Sequence, residues 1–292
     1  MDNPFRGSGV ALVTPFNSDG TIDFVALKKL VRYQIDNGTD FLVVQGTTGE
    51  SPALSKEEKL EVLKAVQEEN NGQLKVVFGV GGNNTLEVGE FLKTLPEGID
   101  GILSVSPYYN KPTQKGIVEH YKYLASCTKL PIILYNVPGR TGSNVSAGTT
   151  LELAKIDNIV AMKEASGDFV QIMTIIQNKP EGFDVLSGDD AITFPMIIAG
   201  AAGVISVVAN AFPKKFSGMV NASLDSKIDE AKKLHYDLLP ITNMLFEEGN
   251  PGGVKVALSK QGLMKTGMRL PLYQVSDGLT LRIENETDRL ID

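Results

Sequence analysis

The sequence predicts an α/β protein, a (β/α)8 TIM barrel with a C-terminal helical extension, and two observations lead to this prediction. Eight short runs rich in Val, Ile and Leu recur between residues 9 and 208, and segments with helical periodicity separate them. Apolar runs that do not alternate with polar residues are typical of parallel strands, which are buried on both faces. Eight strand–helix repeats in a chain of 292 residues favour a closed barrel over an open sheet.

Each predicted strand ends at, or directly before, a small, polar or charged residue, as expected where a strand meets its loop. The strands are predicted at residues 9–14, 41–46, 75–80, 101–106, 132–136, 159–163, 184–187 and 203–208. The helices between them are predicted at residues 24–36, 55–69, 85–95, 114–127, 146–156, 168–177 and 192–199. Asp23 is placed to cap the first helix, and Ser55 with Glu58 has the spacing of a capping box before the second.

Strand-like runs stop near residue 212, and the rest of the chain has helical periodicity. We predict helices at residues 226–245, 253–261 and 276–290, with a kink or break at Pro240 because proline cannot donate the helix hydrogen bond. The chain is therefore divided into a catalytic barrel, residues 1–225, and a C-terminal helical domain, residues 226–292.

Composition and charge exclude several classes of function. The net charge is −7 with 28 basic residues, and no basic stripe suits nucleic acid or an anionic membrane. Residues 194–213 lack charge and are long enough to span a bilayer. Gly200, Gly203 and Asn210 interrupt that run, which favours a buried helix followed by a buried strand. The start of the chain lacks the apolar stretch of a signal peptide, so we expect a cytoplasmic protein.

Cysteine and histidine are scarce. Cys127 is the single cysteine, and His120 and His235 are the two histidines. One cysteine cannot form an intrachain disulfide, and neither histidine stands in a motif with it, so we interpret Cys127 as a filler in an amphipathic helix. Two histidines without paired cysteines are too few for a typical zinc site, and we predict no metal.

Lys163 is the residue that points most directly to chemistry. Active sites of such barrels lie at the carboxyl ends of the strands, where the sixth predicted strand ends in Lys163. Apolar surroundings favour the neutral amine that attacks a carbonyl carbon. The alternative is a structural lysine paired with Glu164, although neighbours in a strand point to opposite faces. On these residues alone both interpretations of Lys163 stay open.

Hydroxyl groups and an arginine follow other strands. Tyr135 ends the fifth strand and could relay protons if Thr48 and Tyr109 complete a chain. Thr47 and Thr48 lie between glycines, a setting that suits a backbone nest for a carboxylate. Arg140 lies in a Pro-Gly-Arg-Thr-Gly turn, where its guanidinium could clamp a second carboxylate. For each of these residues a structural or solvated role is the alternative.

Two further motifs are assigned no chemistry. Residues 79–83 resemble a dinucleotide fingerprint but lack its third glycine spacing. Asp189 and Asp190 follow the seventh strand, where many barrels bind phosphate, and two acids there disfavour a phosphorylated substrate. We assign them a structural role in capping the next helix.

Together these strand ends resemble the N-acetylneuraminate lyase / dihydrodipicolinate synthase superfamily. The resemblance runs from Gly-Val-Ala-Leu-Val-Thr-Pro-Phe at 9–16 to the helical tail. It rests on Gly-Thr-Thr-Gly-Glu at 46–50, Tyr-Asn-Val-Pro-Gly-Arg at 135–140 and Lys-Glu-Ala at 163–165. Each motif alone is weak, whereas the combination is highly specific.

The resemblance implies a class I aldolase in which Lys163 forms an imine with pyruvate and no external cofactor is needed. Tyr135 would be the general acid/base, linked to Thr48 and to Tyr109 of a neighbouring subunit, in a homotetramer built as a dimer of dimers. The enamine would attack L-aspartate 4-semialdehyde, and the product would cyclise with loss of water to 4-hydroxy-tetrahydrodipicolinate. This is the first committed step of diaminopimelate and lysine biosynthesis.

The remaining site residues are implied by the same resemblance. Thr47 and Thr48 would hold the pyruvate carboxylate, and Arg140 would bind the carboxylate of the aldehyde. Gly188 and Ile205 would line the pocket near the imine. Sialic-acid lyases usually lack the arginine, so Arg140 disfavours that activity. A pyruvate-dependent sugar-acid aldolase or dehydratase of the same superfamily is the alternative.

Lysine inhibits some members of the superfamily by binding at a subunit interface. Four residues match positions of that possible allosteric site: Ser51, Asn83, Glu87 and Tyr108. Lys56 and Lys59 stand where some inhibited enzymes have histidines, and two cations would repel the ammonium group of the ligand. We therefore predict weak or absent inhibition by lysine.

Two other classes of function are weighed against the aldolase. One is a barrel that has lost catalysis and serves in binding or regulation. The other is an isomerase in which Glu50 or Asp189 abstracts a proton. An isomerase of that kind would form no covalent adduct with a keto acid, which separates it from the imine mechanism.

Overall fold

Eight parallel strands form the centre of the computed structural model, which describes residues 4–291. They are β1 (Gly7–Ala11), β2 (Phe41–Val44), β3 (Lys75–Gly79), β4 (Gly101–Val105), β5 (Ile132–Asn136), β6 (Ile159–Glu164), β7 (Asp184–Ser187) and β8 (Gly203–Ser206). The strands follow one another around a closed barrel in chain order, and β1 pairs with both β2 and β8 to close it.

Helices follow every strand of the barrel and continue after the last one. They are α1 (Phe24–Asp36), α2 (Lys56–Asn70), α3 (Thr85–Lys93), α4 (Gln114–Cys127), α5 (Pro138–Thr141), α6 (Ala147–Leu153), α7 (Phe169–Asn178), α8 (Thr193–Ile198), α9 (Pro213–Leu224), α10 (Ile228–Glu247), α11 (Gly252–Lys260) and α12 (Asp277–Ile291). The arrangement is a (β/α)8 TIM barrel with a C-terminal helical extension, so the predicted fold class is confirmed. The sequence prediction omitted α9, which packs against β1 and β8.

Side-chain caps stand at the starts of α1 and α2, as predicted. The Asp23 carboxylate accepts a hydrogen bond from the Ala26 N–H at 2.9 Å. Ser55 and Glu58 form both halves of a capping box at the start of α2. These side chains satisfy N–H groups that have no partner within the helix, which is why the helix starts could be located from the sequence.

The expected break at Pro240 is wrong. α10 continues through the proline from Ile228 to Glu247. Its buried face includes Leu238 and Ile241, and the helix packs against α9 and α12. Tertiary packing of an apolar face contributes most of the stability of a helix in a protein, and here it outweighs the lost hydrogen bond.

β1 lies earlier in the chain than predicted. The Leu12 N–H still donates to the Val43 carbonyl at 3.0 Å, but the Val13 N–H donates to the Asn210 side chain at 3.1 Å. Leu12 and Val13 are buried all the same. Apolar residues buried just beyond a strand have the composition of strand residues, so the sequence did not reveal where the strand ends.

The apolar core is divided between the inside of the barrel and the layer beneath the helices. On β5, Ile133 and Tyr135 belong to the interior cluster, whereas Ile132 and Leu134 belong to the outer one. This alternation is the two-residue period of a strand. It places every second residue at a strand end over the mouth of the barrel, where the site lies.

The outer cluster extends into the tail. It contains Phe216 of α9 together with Leu238 of α10 and Ile283 of α12. The predicted domain boundary after residue 225 falls at Asp225, which directly follows α9. The division into a barrel, residues 1–225, and a helical domain, residues 226–292, stays a prediction.

The uncharged stretch at residues 194–213 folds largely into α8, β8 and the 3-10 turn Val208–Asn210. The predicted helix followed by a buried strand is confirmed, but α8 is only half-buried and exposes Ile198. Across residues 4–291, every helix is too short or too polar to span a membrane.

Candidate active site

Tyr135 and Lys163 lie side by side at the carboxyl ends of β5 and β6, because they are register partners in this parallel pair. The Lys163 Nζ lies 4.3 Å from the centroid of the Tyr135 ring. The Lys163 side chain is 5% exposed. Within the described part of the chain its Nζ has neither a hydrogen bond nor an ion pair, so the amine is left unpaired at the mouth of the barrel.

Glu164 forms its contacts on the other face of β6. Its carboxylate accepts hydrogen bonds from Asn136 Nδ2 at 3.1 and 3.0 Å and from the Ser166 N–H at 2.7 Å. Burial raises the pKa of Glu164, and these hydrogen bonds oppose that shift. Glu164 therefore forms no ion pair with Lys163, as the opposite orientation of neighbouring strand residues required.

Gly188 leaves room for the Lys163 side chain. A Cβ at this position would lie 3.0 Å from the Lys163 Cε and 2.7 Å from the Ala165 Cβ. Any larger residue would therefore crowd both Ala165 and the Lys163 side chain. Ile205 lies deeper, in the interior cluster that also contains Tyr135.

A cavity of 720 Å³ opens above this pair. It brings together six of the predicted site residues: Thr47, Thr48, Tyr135, Arg140, Lys163 and Gly188. The C-terminal region contributes a wall of the same cavity through Thr242, Asn243, Phe246, Glu247 and Asn250. Ile205 and Tyr109 are not part of this lining.

Thr47 and Thr48 begin the 3-10 turn Thr47–Gly49 at the end of β2. The first N–H groups of a helical turn have no acceptor within it and are available to an anion. Thr48 is buried, and its Oγ1 accepts a hydrogen bond from Asn250 Nδ2 at 3.0 Å.

Arg140 lies in α5, and its side chain is exposed at the cavity. Its guanidinium has no acidic partner among residues 4–291. An unpaired guanidinium at a cavity wall can bind a carboxylate in bidentate fashion.

Tyr109 is 88% exposed and has a φ of 67°. The left-handed backbone is unusual for a non-glycine residue, and the side chain lies outside the lining of the cavity. Within one chain Tyr109 does not complete a hydroxyl chain with Tyr135 and Thr48. Such a chain requires a second copy of the protein.

A second cavity, of 340 Å³, adjoins the first through Thr47, Tyr135 and Arg140. Ser51 and Tyr108, two of the four predicted allosteric residues, line it together with Lys59. Asn83 supports Tyr108 by accepting its N–H at 2.9 Å. Glu87 lies in the first turn of α3, outside this lining.

Asp189 and Asp190 have structural contacts. The Asp189 carboxylate accepts the Ala191 N–H at 3.0 Å and so caps a short 3-10 turn. Asp190 Oδ2 accepts the N–H groups of Val207 and Val208, each at 2.9 Å, and thereby ties the loop after β7 to the loop after β8. Burial raises the pKa of Asp190 to about 6.

Sequence reasoning missed two contacts made by the C-terminal region. One is the hydrogen bond from Asn250 to Thr48, and the other is a fully buried ion pair between Lys255 and Glu50. The Asn-Pro-Gly-Gly run at 250–253 signals a turn, but nothing in it indicates that the turn meets the end of β2. Glu50 already pairs with Lys255, which disfavours Glu50 as the base of the isomerase alternative.

No metal-binding cluster of His, Cys, Asp and Glu occurs in the described ranges. Cys127 ends α4 as a half-buried free thiol, in agreement with its interpretation as a filler.

The geometry first defines a class: a TIM-barrel enzyme with an unpaired lysine amine in the cavity at the carboxyl ends of its strands. Comparison with known proteins then gives the family. The model of the dihydrodipicolinate synthetase family (DHDPS) matches residues 4–287. The chain belongs to this family, and the resemblance inferred from the strand ends is confirmed.

Individual relatives are similar to this chain over nearly its whole length. The 4-hydroxy-tetrahydrodipicolinate synthase of Flavobacterium psychrophilum is 52% identical over 98% of both chains. The solved dihydrodipicolinate synthase of Acinetobacter baumannii, complexed with pyruvate, has a TM-score of 0.95 and 41% identity over 98% of both chains. The DHDPS of Cyanidioschyzon merolae with lysine bound has a TM-score of 0.94 and 36% identity over 99% of this chain and 100% of that one.

Proposed function

We propose that this chain condenses pyruvate with L-aspartate 4-semialdehyde to 4-hydroxy-tetrahydrodipicolinate, through an imine on Lys163. The observation that carries the proposal is the unpaired Lys163 amine beside Tyr135, in a cavity that also contains the free Arg140 guanidinium. Membership of the family and the names of its relatives support the same reaction.

Imine formation comes first. The pyruvate carboxylate binds at the amides of Thr47 and Thr48, which leaves the keto carbon facing Lys163. The Nζ lone pair forms a C–N bond to that carbon, and the ketone oxygen leaves as water. Tyr135 gives up the proton that leaves the imine protonated, and so becomes the base for the next step. The protonated imine is an electron sink, so this step needs no external cofactor.

Carbon–carbon bond formation follows. Tyr135 takes a proton from the methyl carbon of the bound pyruvate, and the electron pair moves toward the imine nitrogen to give an enamine. The aldehyde substrate binds through its carboxylate to Arg140. The enamine carbon bonds to the aldehyde carbon, whose oxygen takes the proton back from Tyr135.

Cyclisation releases the enzyme. The amino group of the former aldehyde substrate attacks the imine carbon, closes the ring and displaces the Lys163 amine. The net loss of water is the molecule expelled during imine formation. A sugar aldehyde has no amino group at this position and cannot close the same ring.

Borohydride reduction in the presence of pyruvate tests the imine, with intact mass and peptide mapping as the readout. The expected result is a pyruvate-sized adduct on Lys163. Product formation with aspartate semialdehyde is then compared with that from sugar aldehydes. No adduct on folded protein would disprove the mechanism, and a preference for sugar aldehydes would favour the alternative sugar-acid aldolase or dehydratase.

We also propose a homotetramer built as a dimer of dimers. Exposed apolar side chains in two parts of the sequence support two interfaces. One contains Leu86, Tyr108 and Tyr109, and the other contains Val170, Met173, Ile198 and Tyr236. In the first interface Tyr109 reaches the relay of the adjacent subunit.

Mixing two inactive variants tests this transfer of Tyr109. Lys163→Ala lacks the amine but keeps Tyr109, and Tyr109→Phe keeps the amine. If Tyr109 acts across the interface, a mixed dimer contains one complete site, and mixing after subunit exchange restores activity. Sedimentation velocity gives the oligomeric state, and a monomer with full activity would contradict the proposal.

Inhibition by lysine is proposed to be weak or absent. Lys59 lines the second cavity with Ser51 and Tyr108, and Lys56 Nζ lies 4.8 Å from the Phe91 ring centroid. Burial lowers the pKa of Lys59, which reduces but does not remove its repulsion of a cationic ligand. Strong suppression of turnover by millimolar lysine would contradict this proposal. The cytoplasmic location expected from the sequence stays a prediction.

A further inference from the structure

We propose that Asn250, in the turn between α10 and α11, is a positioning residue that sets the direction in which the Thr48 hydroxyl donates its proton. The inference rests on the proposed condensation, because Thr48 is part of its proton relay. It assigns to the C-terminal region a part in the chemistry of the barrel.

The contact joins two distant parts of the sequence inside the cavity. Asn250 Nδ2 donates to Thr48 Oγ1 at 3.0 Å across a separation of 202 residues. Asn250 is 8% exposed and Thr48 is 2% exposed. Both residues line the cavity that contains Tyr135 and Lys163.

The direction of this hydrogen bond determines what Thr48 can do. A hydroxyl group has one proton and two lone pairs. Because Asn250 donates into one lone pair, the Thr48 proton is directed to a different acceptor, and among residues 4–291 the Thr48 hydroxyl has no second hydrogen-bond partner. Tyr135 is the residue in this cavity whose oxygen needs a donor after it has given up its proton and before it takes one from the methyl carbon of the bound pyruvate.

Linked hydrogen bonds polarise one another, so a donor into Thr48 strengthens donation by Thr48. The chain from Asn250 through Thr48 to Tyr135 therefore stabilises negative charge on the tyrosine oxygen. This is the state formed when the proton leaves Tyr135, and it keeps Tyr135 available as the base for the next proton transfer.

The surroundings hold Asn250 at the end of β2. Lys255, in the following helix, forms the buried ion pair with Glu50, two residues after Thr48. The Arg269 N–H donates to the other Glu50 oxygen at 3.1 Å. The ion pair therefore ties the helix after the Asn250 turn to the turn that carries Thr48, and the Arg269 contact holds the Glu50 carboxylate in place.

Two substitutions of Asn250 in the full-length enzyme test the inference by pH profiles of kcat and KM. Asn250→Ala removes the donor, and we expect kcat to fall roughly ten-fold. Asn250→Asp presents an acceptor that captures the Thr48 proton, and we expect kcat to fall roughly a hundred-fold. In the alanine variant the acidic limb of the kcat profile should move to higher pH, since negative charge on the Tyr135 oxygen is less stabilised. Asn221→Ala, an exposed position on α9, is the matched control and should keep the wild-type profile.

A double-mutant cycle separates positioning from a general structural role. If Asn250 acts through Thr48, Asn250→Ala has no further effect on kcat in a Thr48→Val background. Losses that multiply in the double variant would overturn the inference, as would an unchanged kcat in Asn250→Asp. If the alanine variant fails to fold, the isosteric aspartate variant carries the test.

Failure of the proposed function and failure of the role of Asn250 give different experimental results. Wild-type enzyme without a borohydride adduct or condensation activity would disprove the proposed function itself. Active wild type together with independent effects of Asn250 and Thr48 would disprove only the role of Asn250. The pyruvate adduct on Lys163 should persist in Asn250→Ala, since this residue acts on the proton transfer that follows imine formation.

Discussion

The two deeply buried lysines, Lys163 and Lys255, have opposite surroundings at the same end of the barrel. Both amines lie over an aromatic ring, at 4.3 Å from the Tyr135 centroid and 4.6 Å from the Phe16 centroid. Lys255 also donates to the Thr14 carbonyl at 2.9 Å and to the Gly267 carbonyl at 2.8 Å, and it pairs with Glu50. Lys163 has no such oxygen partner in the described part of the chain.

The difference shows that burial alone does not identify a reactive lysine. Burial lowers the pKa of Lys255, and the Glu50 carboxylate opposes that shift. An amine surrounded by oxygen acceptors is held as a donor, and its lone pair is not available for attack on carbon. An amine without them can deprotonate and act as a nucleophile.

Replacing Lys163 with methionine has the largest expected effect on activity. We expect condensation to fall by at least about a thousand-fold, because the residue forms the covalent intermediate. Stability should be unchanged or increased, since an unpaired buried amine is removed. Turnover, the borohydride adduct and urea unfolding measure these effects. A persistent adduct in the variant would place the imine on another residue. The conclusion that the unpaired lysine is the reactive one would then be wrong.

Replacing Lys255 with methionine should have the opposite outcome. Glu50 is left buried without its counter-charge, and we expect a cost of about 3–5 kcal/mol in the free energy of unfolding. The pyruvate adduct on Lys163 should still form while the protein is folded. Urea unfolding measures the cost, with Lys75→Met in an exposed ion pair as a control that should cost less than about 1 kcal/mol.

Removing both partners sharpens the same test. In Lys255→Met/Glu50→Leu no unpaired charge remains, so much of the lost stability should return. A double variant as unstable as the single one would mean that packing, rather than charge, is what Lys255 provides.

Asp190 extends the comparison to a buried carboxylate without a cation. Burial raises its folded pKa to about 6 from the ordinary value of 3.8. The folded state therefore binds the proton more tightly, and the stability from this proton is present in acid and lost as pH rises through about 6. Relative to Asp190→Asn, the wild type should lose about 2–3 kcal/mol between pH 4 and pH 7. Urea unfolding at a series of pH values measures this loss. Free energies of unfolding that change in parallel with pH in the wild type and the variant would contradict the prediction.

Glu58 should show the smallest effect, with the opposite sign. The Arg269 guanidinium donates to both of its oxygens, at 2.7 and 2.6 Å, and lowers the pKa of Glu58 to about 2. Stability from this pair is present above pH 4.5, the ordinary pKa of a glutamate, and is lost as pH falls toward 2. The carboxylate side chain is 29% exposed. Solvent screening therefore limits the expected cost of Glu58→Gln at pH 7 to about 1 kcal/mol. Unfolding curves of wild type and variant should converge in acid.

Much of the site could be predicted because the end of a strand can be recognised from a short stretch of sequence. Lys163 and Tyr135 each end an apolar run, and a closed parallel barrel brings such ends together whatever the loops do. The capping box of Ser55 and Glu58 was equally visible, since its two residues lie three positions apart. The break at Pro240 was wrongly expected because the packing that holds α10 together comes from other helices.

The sequence by itself determined the barrel, the order of its strands and the residues at their carboxyl ends, because continuous apolar runs, helical periodicity and caps each involve only a few neighbouring residues. Only the tertiary structure decided which buried lysine is unpaired. The oxygen atoms around Lys255 come from residues 14, 50 and 267, and the donor to Thr48 comes from residue 250. Such contacts depend on how the chain closes on itself, and no local pattern records them.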